Sequence, residues 1–196
     1  KRDTDKEEVI AYMKTNTLFT KILSVLLLVC TCLTLLPACN EDPQDPEKPS
    51  LTLTEGGESL YTIVRSDSTS ASDVETQMCV DLTTAIKAVS GVQIEIETDY
   101  EDTVGQYADR PEILVGMTNR PESAAAKEQI TDENGYVIRV IGNKIVIFGN
   151  NANALTEAMT VFLSEYIGYR SESDFDRNEV ILLPESLAHT GVWIDP

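Results

Sequence analysis

A single histidine, His189, and a single tryptophan, Trp193, occur in 196 residues, and 15 basic residues face 33 acidic ones. One histidine excludes any mechanism built on two. A net charge of −18 argues against nucleic acid as a partner, because affinity for phosphates comes from Lys and Arg displacing counterions. It argues equally against docking on anionic headgroups. Cysteine is scarce in the body of the chain: Cys30, Cys32 and Cys39 lie near the start, which leaves Cys79 alone. No intrachain disulfide staples such a body. None is needed, because a domain of about 150 residues buries roughly 70% of its unfolded surface.

The first forty residues do contain a distinctive run. Ile22 to Cys39 carries no charge, and Lys14 and Lys21 precede it. A positive segment, an apolar segment and the small residue Ala38 make a secretory signal pattern. Eighteen residues is marginal for crossing about 30 Å of hydrocarbon. Leu36-Pro37-Ala38-Cys39 resembles the bacterial lipobox, in which the chain is cut between Ala38 and an acylated Cys39. Met13 is a natural start for this peptide, and residues 1–12 read as an upstream artefact. The expected organisation is a signal peptide over 13–38, an acidic, proline-rich tether over 39–58 and one domain over 59–196. Cleavage leaves 10 basic residues against 29 acidic ones. The expected location is extracytoplasmic, on a bacterial membrane, through lipidated Cys39.

Over 59–196 the hydrophobic pattern alternates between strand and helix periods. Ser59–Ser66 reads as a strand. Ser72 and Glu75 form a capping box. Val74, Met78, Leu82, Ala85, Ile86 and Val89 then recur at helical spacing up to Gly91. Val92–Thr98 alternates as a half-buried strand, and Glu112–Met117 reads as a central one. Asn119, Pro121 and Glu122 mark a helix start for 121–130. Gly135–Ile141 and Lys144–Phe148 form a hairpin through Gly142-Asn143. A helix with Leu155, Met159, Phe162 and Ile167 on one face ends at Gly168, and Glu179–Leu183 is a last strand. The order is β-α-β-β-α-β-β-α-β, an α/β (α+β) fold with a mixed sheet.

Glu112-Ile-Leu-Val-Gly-Met-Thr-Asn-Arg-Pro-Glu-Ser123, the Gly135–Gly149 hairpin and the helix through Phe162-Leu163 together resemble the small N-terminal domain that precedes the catalytic barrel in β-N-acetylhexosaminidases and α-glucuronidases. The resemblance covers roughly residues 59–168. It implies about three helices packed mainly on one face of the sheet, and an accessory role. In those enzymes the sugar-cleaving carboxylates lie in the barrel, so no catalytic residue carries over. Tyr169–Pro196 follows where the barrel would stand, so two expectations stay open: a chain truncated before a catalytic domain, or a domain that stands alone.

Candidate chemistry within the domain is sparse. Asp132-Glu133 and Glu101-Asp102 read as solvated turns. Asp174, Asp176 and Asn178 have the 1, 3, 5 spacing of a calcium loop with Glu185 at position 12, but Glu179 replaces the required glycine. The weak calcium candidate is therefore set against an acidic surface loop. Gly142, Lys144 and Gly116 fit no phosphate loop, and no cofactor is expected. Cys79 reads as buried and inert, and His189 as a surface residue. Trp193, Tyr166 and Tyr169 read as packing rather than as a platform for sugars. The expected function is the non-catalytic N-terminal domain of a membrane-anchored lipoprotein linked to glycan degradation, with glycan and a following catalytic domain as partners. The alternative is a standalone surface lipoprotein that binds or docks. The first expects an exposed apolar patch near Leu187–Ile194, the second a closed surface and an ordered C-terminus. The lipobox yields a direct test: cells fed labelled palmitate should mark the wild-type chain, and Cys39→Ala should remove the label and leave the precursor uncleaved.

Overall fold

Strand alternation sorts the apolar residues of this chain onto two faces of one sheet. The computed structural model describes residues 49–67, 72–100 and 106–195. The charge-free run, Ala38, Cys39 and the Glu101-Asp102 pair lie outside them. The elements are β1 (Ser50–Glu55), β2 (Glu58–Ser59), β3 (Thr62–Arg65), α1 (Asp73–Ser90), β4 (Ile96–Thr98), β5 (Glu112–Val115), α2 (Pro121–Lys127), β6 (Gly135–Ile141), β7 (Lys144–Gly149), α3 (Ala152–Val161), a π-helical turn (Phe162–Ile167), β8 (Tyr169–Ser171), β9 (Asp174–Phe175), β10 (Ile181–Pro184) and β11 (Ala188–Val192). The six-stranded sheet has the order β11-β6-β7-β5-β3-β4. β4, β3, β5 and β7 are parallel, whereas β6 and β11 are antiparallel to their neighbours. The fold is the mixed α/β class expected.

One face carries Ile63, Ile113, Val115, Ile145, Ile147 and Ile138, packed with α1, α3 and the π-helical turn. The other carries Val64, Leu114, Val146, Phe148 and Val137, packed with Ala126 of α2. Two helices on one face and a short one on the other is what residues of period two require when the central strands are buried on both sides. β5 is buried at all four positions; its apolar run Ile113–Val115 predicts three of them, and the fourth is the charged Glu112.

The helix signals hold at the ends that matter. Ser72 accepts from the Glu75 N–H at 3.1 Å, and Gly91 closes α1 at φ 80°. The Glu75 side chain does not reach back to Ser72, because it accepts a hydrogen bond from Ser66 instead. The cap of α2 differs from expectation: Arg120 holds the N-cap position with no side-chain cap bond, and Pro121 follows it. Asn119 is drawn away by Asp99, whose carboxylate accepts its N–H at 2.6 Å and whose carbonyl accepts its side-chain amide at 2.8 Å. α2 stops at Lys127, since Gln129 and Ile130 bond three residues back and tighten the turn. The last helix widens into the π-helical turn, which keeps Phe162, Leu163 and Ile167 all buried.

Residues 50–58, expected as the end of the tether, belong to the folded unit. β1 pairs antiparallel with β10 and with β2. Leu51 and Leu53 alternating with threonines is a strand signal hidden by the acidic, proline-rich run before it. Thr54, fully buried, fills the register break by donating to the Glu179 carbonyl and accepting from the Ile181 N–H, each at 3.1 Å. The β4 ladder begins at Ile96 rather than Val92, because the chain must first cross from α1 to the sheet edge; Val92 and Ile94 are buried on the way.

Two glycines separate conformational strain from close approach. A Cβ on Gly91 meets open space and pays only the left-handed backbone, whereas one on Gly149 would stand 2.2 Å from the Leu155 backbone nitrogen. Gly91→Ala should therefore cost about 1 kcal/mol and Gly149→Ala about 3 kcal/mol or more, read from denaturant unfolding midpoints.

Candidate functional site

Open α/β sheets bind ligands beyond the carboxyl ends of their strands, where strand order reverses. Here the reversal lies between β3 and β5, since the chain moves outward from β3 through α1 to β4 and then returns to the other side of β3. That crevice is filled by the domain's own groups. Ser66 donates to Glu75 at 2.9 Å. The Glu75 carboxylate presses on Gly116, where a Cβ would come within 2.1 Å of its oxygen. Asp99 is taken up by Asn119 as described. Thr118 and Ser123 exchange a hydroxyl bond at 2.8 Å. Carboxylates stand where an anionic ligand would lie, so the crevice does not suit a phosphate.

At the opposite, amino ends of the strands lies a buried ionic cluster. Glu112 and Lys144 are register partners on β5 and β7, 0% and 1% exposed. The Glu112 carboxylate accepts from Lys144 Nζ at 2.9 Å and from Arg120 Nε and Nη2 at 3.0 and 2.9 Å. Lys144 also donates to the carbonyls of Tyr107 and Arg110, and the Arg120 guanidinium lies 5.0 Å from the Tyr107 ring centre. Arg110 reaches outward to a two-pronged pair with Glu97 at 2.9 and 2.8 Å. Burial alone pushes the Glu112 carboxyl up, but the hydrogen bonds and charges of Arg120 and Lys144 outweigh it and hold it below its ordinary value. The cluster clamps the 106–111 segment and the start of α2 to the sheet. Strand parity could have revealed it: Glu112 shares a face with Leu114, and Lys144 with Val146 and Phe148, and a charge at a buried position demands a partner.

His189 sits on β11 between two tyrosines, with Tyr166 Oη 3.2 Å from Nδ1, Tyr136 Oη 3.5 Å from Nε2, and a Glu165 carboxylate oxygen 3.9 Å from Nδ1. Burial first, and neighbouring glutamates second, raise both phenols above their ordinary values, so both stay neutral. With two phenols in contact with the imidazole and the Glu165 carboxylate beside it, this cluster fastens β11 to the π-helical turn. Tyr166 also stacks on Phe162, and Tyr169 on Phe175, while Trp193 packs on the core. They form no shared platform.

The calcium candidate is brought together in part and put to another use. Asp174 and Asp176 both grip Arg170, at 2.8 and 3.0 Å. Asn178 accepts from the Val180 N–H in a turn, and Glu185 bonds through its backbone to Pro49. Among the described residues no group of three His, Cys, Asp or Glu is placed to hold a metal ion. Asp132 accepts from the Asn134 N–H at 2.8 Å within its turn. Beside it a pocket of about 200 Å³ opens between the α2–β6 turn and β11, lined by Gln129, Thr131 and Asp132 on one side and Thr190 and Val192 on the other. Cys79 is fully buried, and burial pushes its thiol up to about 12.

No family model matches the sequence, and no curated protein matches it. Among solved structures the chain is similar to part of a family GH115 4-O-methyl-α-glucuronidase, BtGH115A, with specificity for decorated arabinogalactans: the TM-score is 0.50 at 15% identity over 71% of this chain and 18% of that one. It is also similar to part of CpGH84D, with a TM-score of 0.40 at 17% identity over 74% of this chain and 23% of that one. At such identities the likeness is one of fold. This chain spans less than a fifth of the glucuronidase, 18% of its length.

The cluster and the thiol each make a prediction. Glu112→Gln should cost about 3–5 kcal/mol by leaving Lys144 and Arg120 buried around a neutral amide. Because the folded Glu112 carboxyl is depressed, its contribution is full above the unfolded value of about 4.3 and is lost as pH falls toward the folded value. Urea unfolding between neutral and acid pH should show that loss in the wild type and not in Glu112→Gln. Iodoacetamide should mark the peptide containing Cys79 only when added in denaturant.

Proposed function

We propose that this chain is a non-catalytic N-terminal domain of a membrane-anchored lipoprotein linked to glycan degradation. The observation that carries the reading is the fold likeness to a segment amounting to 18% of a glucuronidase chain, at a TM-score of 0.50. A domain that makes up so small a share of a glycoside hydrolase is in keeping with an accessory part, and the catalytic groups would lie in a following domain. Two features of the chain support it. The charge-free run ending at Ala38-Cys39 suits signal cleavage, lipid attachment and an extracytoplasmic site. Beyond the pocket at the exit of β11, Ile194 is 81% exposed, although Leu187 is buried; an apolar group there suits contact with a partner domain.

A second reading draws on the order of that same segment. β11 pairs along its whole length with β6, and the Trp193 N–H bonds to the Asn134 carbonyl at 2.9 Å. A standalone surface lipoprotein that acts as a binding or interaction module is in keeping with a sheet edge closed in this way. The two readings part on one experiment. Sequence determined at the locus beyond the codon for Pro196 is expected to stay open into a barrel-sized region, and the encoded protein to release sugar from a glycan that the 196-residue chain leaves intact. A stop codon directly after Pro196 overturns the first reading and selects the second.

A further inference from the structure

The sheet is unequally covered. α1, α3 and the π-helical turn lie on one face, and on the other α2 spans seven residues, Pro121–Lys127. β11 carries Ala188, Thr190 and Val192 on this second face, all exposed, in register with Arg139, Val137 and Gly135 of β6. The chain leaving α2 turns back beside this strip, and the pocket of about 200 Å³ lies between the two.

The lining is chemically selective. Its lining residues include Thr131 and Thr190, which carry hydroxyls, Gln129 with an amide and Asp132 with a carboxylate, beside Ile130, Tyr136 and Val192. The Asn134 N–H holds one Asp132 oxygen at 2.8 Å, so the carboxylate is oriented before any ligand arrives. The floor is firm: a Cβ on Gly191 would stand 2.3 Å from the Tyr136 ring, which presses directly on the β11 backbone. No Lys, Arg or His lines the pocket, and the chain is strongly acidic, so an anion meets an opposing field. A lone carboxylate is too few ligands for a divalent cation. The volume falls short of the roughly 300–1,000 Å³ of pockets for larger organic ligands. What suits it is a small neutral molecule with hydroxyls on an apolar frame.

We propose that this pocket binds a single neutral sugar ring, its hydroxyls paired with Asp132, Gln129, Thr131 and Thr190 and its C–H face on Val192. The proposal rests on the glycan-linked reading above and names the ligand class for this domain. It would let the domain hold one residue of a glycan.

The test is ligand-observed saturation-transfer NMR on the full chain, purified in detergent, with methyl glycosides of glucose, galactose, mannose and N-acetylglucosamine, and with glucuronate as the anionic probe. Transfer to at least one neutral glycoside and none to glucuronate is expected. Thr190→Trp, which fills the pocket from an exposed strand position, should abolish the signal. Asp132→Asn keeps the acceptor for Asn134 but removes the charge, and should weaken binding about tenfold. Circular dichroism checks that both variants are folded, and Asp132→Asn serves if Thr190→Trp is not. No transfer to any neutral glycoside, or transfer that survives Thr190→Trp in a folded chain, overturns the proposal. Palmitate labelling and the sequence beyond Pro196 report on the wider reading separately, so a silent pocket in a lipidated chain with an open downstream frame defeats the sugar site alone.

Discussion

One buried anion, Glu112, holds the thin face of the sheet together. Most of this face is covered by short pieces of chain, the 106–111 segment and α2, which bring few apolar residues of their own. Glu112 draws Lys144 from the neighbouring strand and Arg120 from the start of α2, and Lys144 then holds the carbonyls of Tyr107 and Arg110. Two cations around one carboxylate, with the remaining donors on backbone oxygens, satisfy a cluster that would otherwise be costly to desolvate. The position of α2, and so the turn that edges the pocket, follows from this clamp.

The opposite face works by bulk rather than by charge. α1 and α3 press a continuous apolar layer onto Ile63, Ile113, Ile145 and Ile147, and Gly149 lets α3 come down directly onto β7. Dense packing there leaves Cys79 without access or reactivity. The crevice at the carboxyl ends of β3 and β5 is likewise closed, by Glu75 and Asp99. Polar chemistry that remains open is therefore displaced to the far edge, along β11, where the sheet is least covered.

A great deal of the architecture was legible in residue order. The helix face from Met78 to Val89, the stop at Gly91, the hairpin at Gly142-Asn143 and the burial of Ile113–Val115 all rest on short-range periodicity and local backbone preference. β1, the β8–β9 hairpin and β11 were not legible. β11 reads Ala-His-Thr-Gly-Val, with no apolar alternation to announce a strand; it exists because β6 offers an edge with which to pair. Ser50–Glu55 differs, since Leu51 and Leu53 do alternate with threonines; the acidic, proline-rich run before them hides that signal, and the partner strand β10 comes from the far end of the chain.

Sequence alone determined the class of fold, the acidic character and the two-sided burial of the central strands, because those depend on composition and on patterns a few residues long. Only the tertiary structure decided what the isolated charged residues do. Asp174 and Asp176, spaced as calcium ligands, face Arg170, and Lys144 and Glu112, distant in the chain, become one buried pair. The partners of Glu112 are chosen by strand register and by loop path, which no short stretch around it encodes, whereas Arg170 meets Asp174 four residues on, across the β8–β9 hairpin.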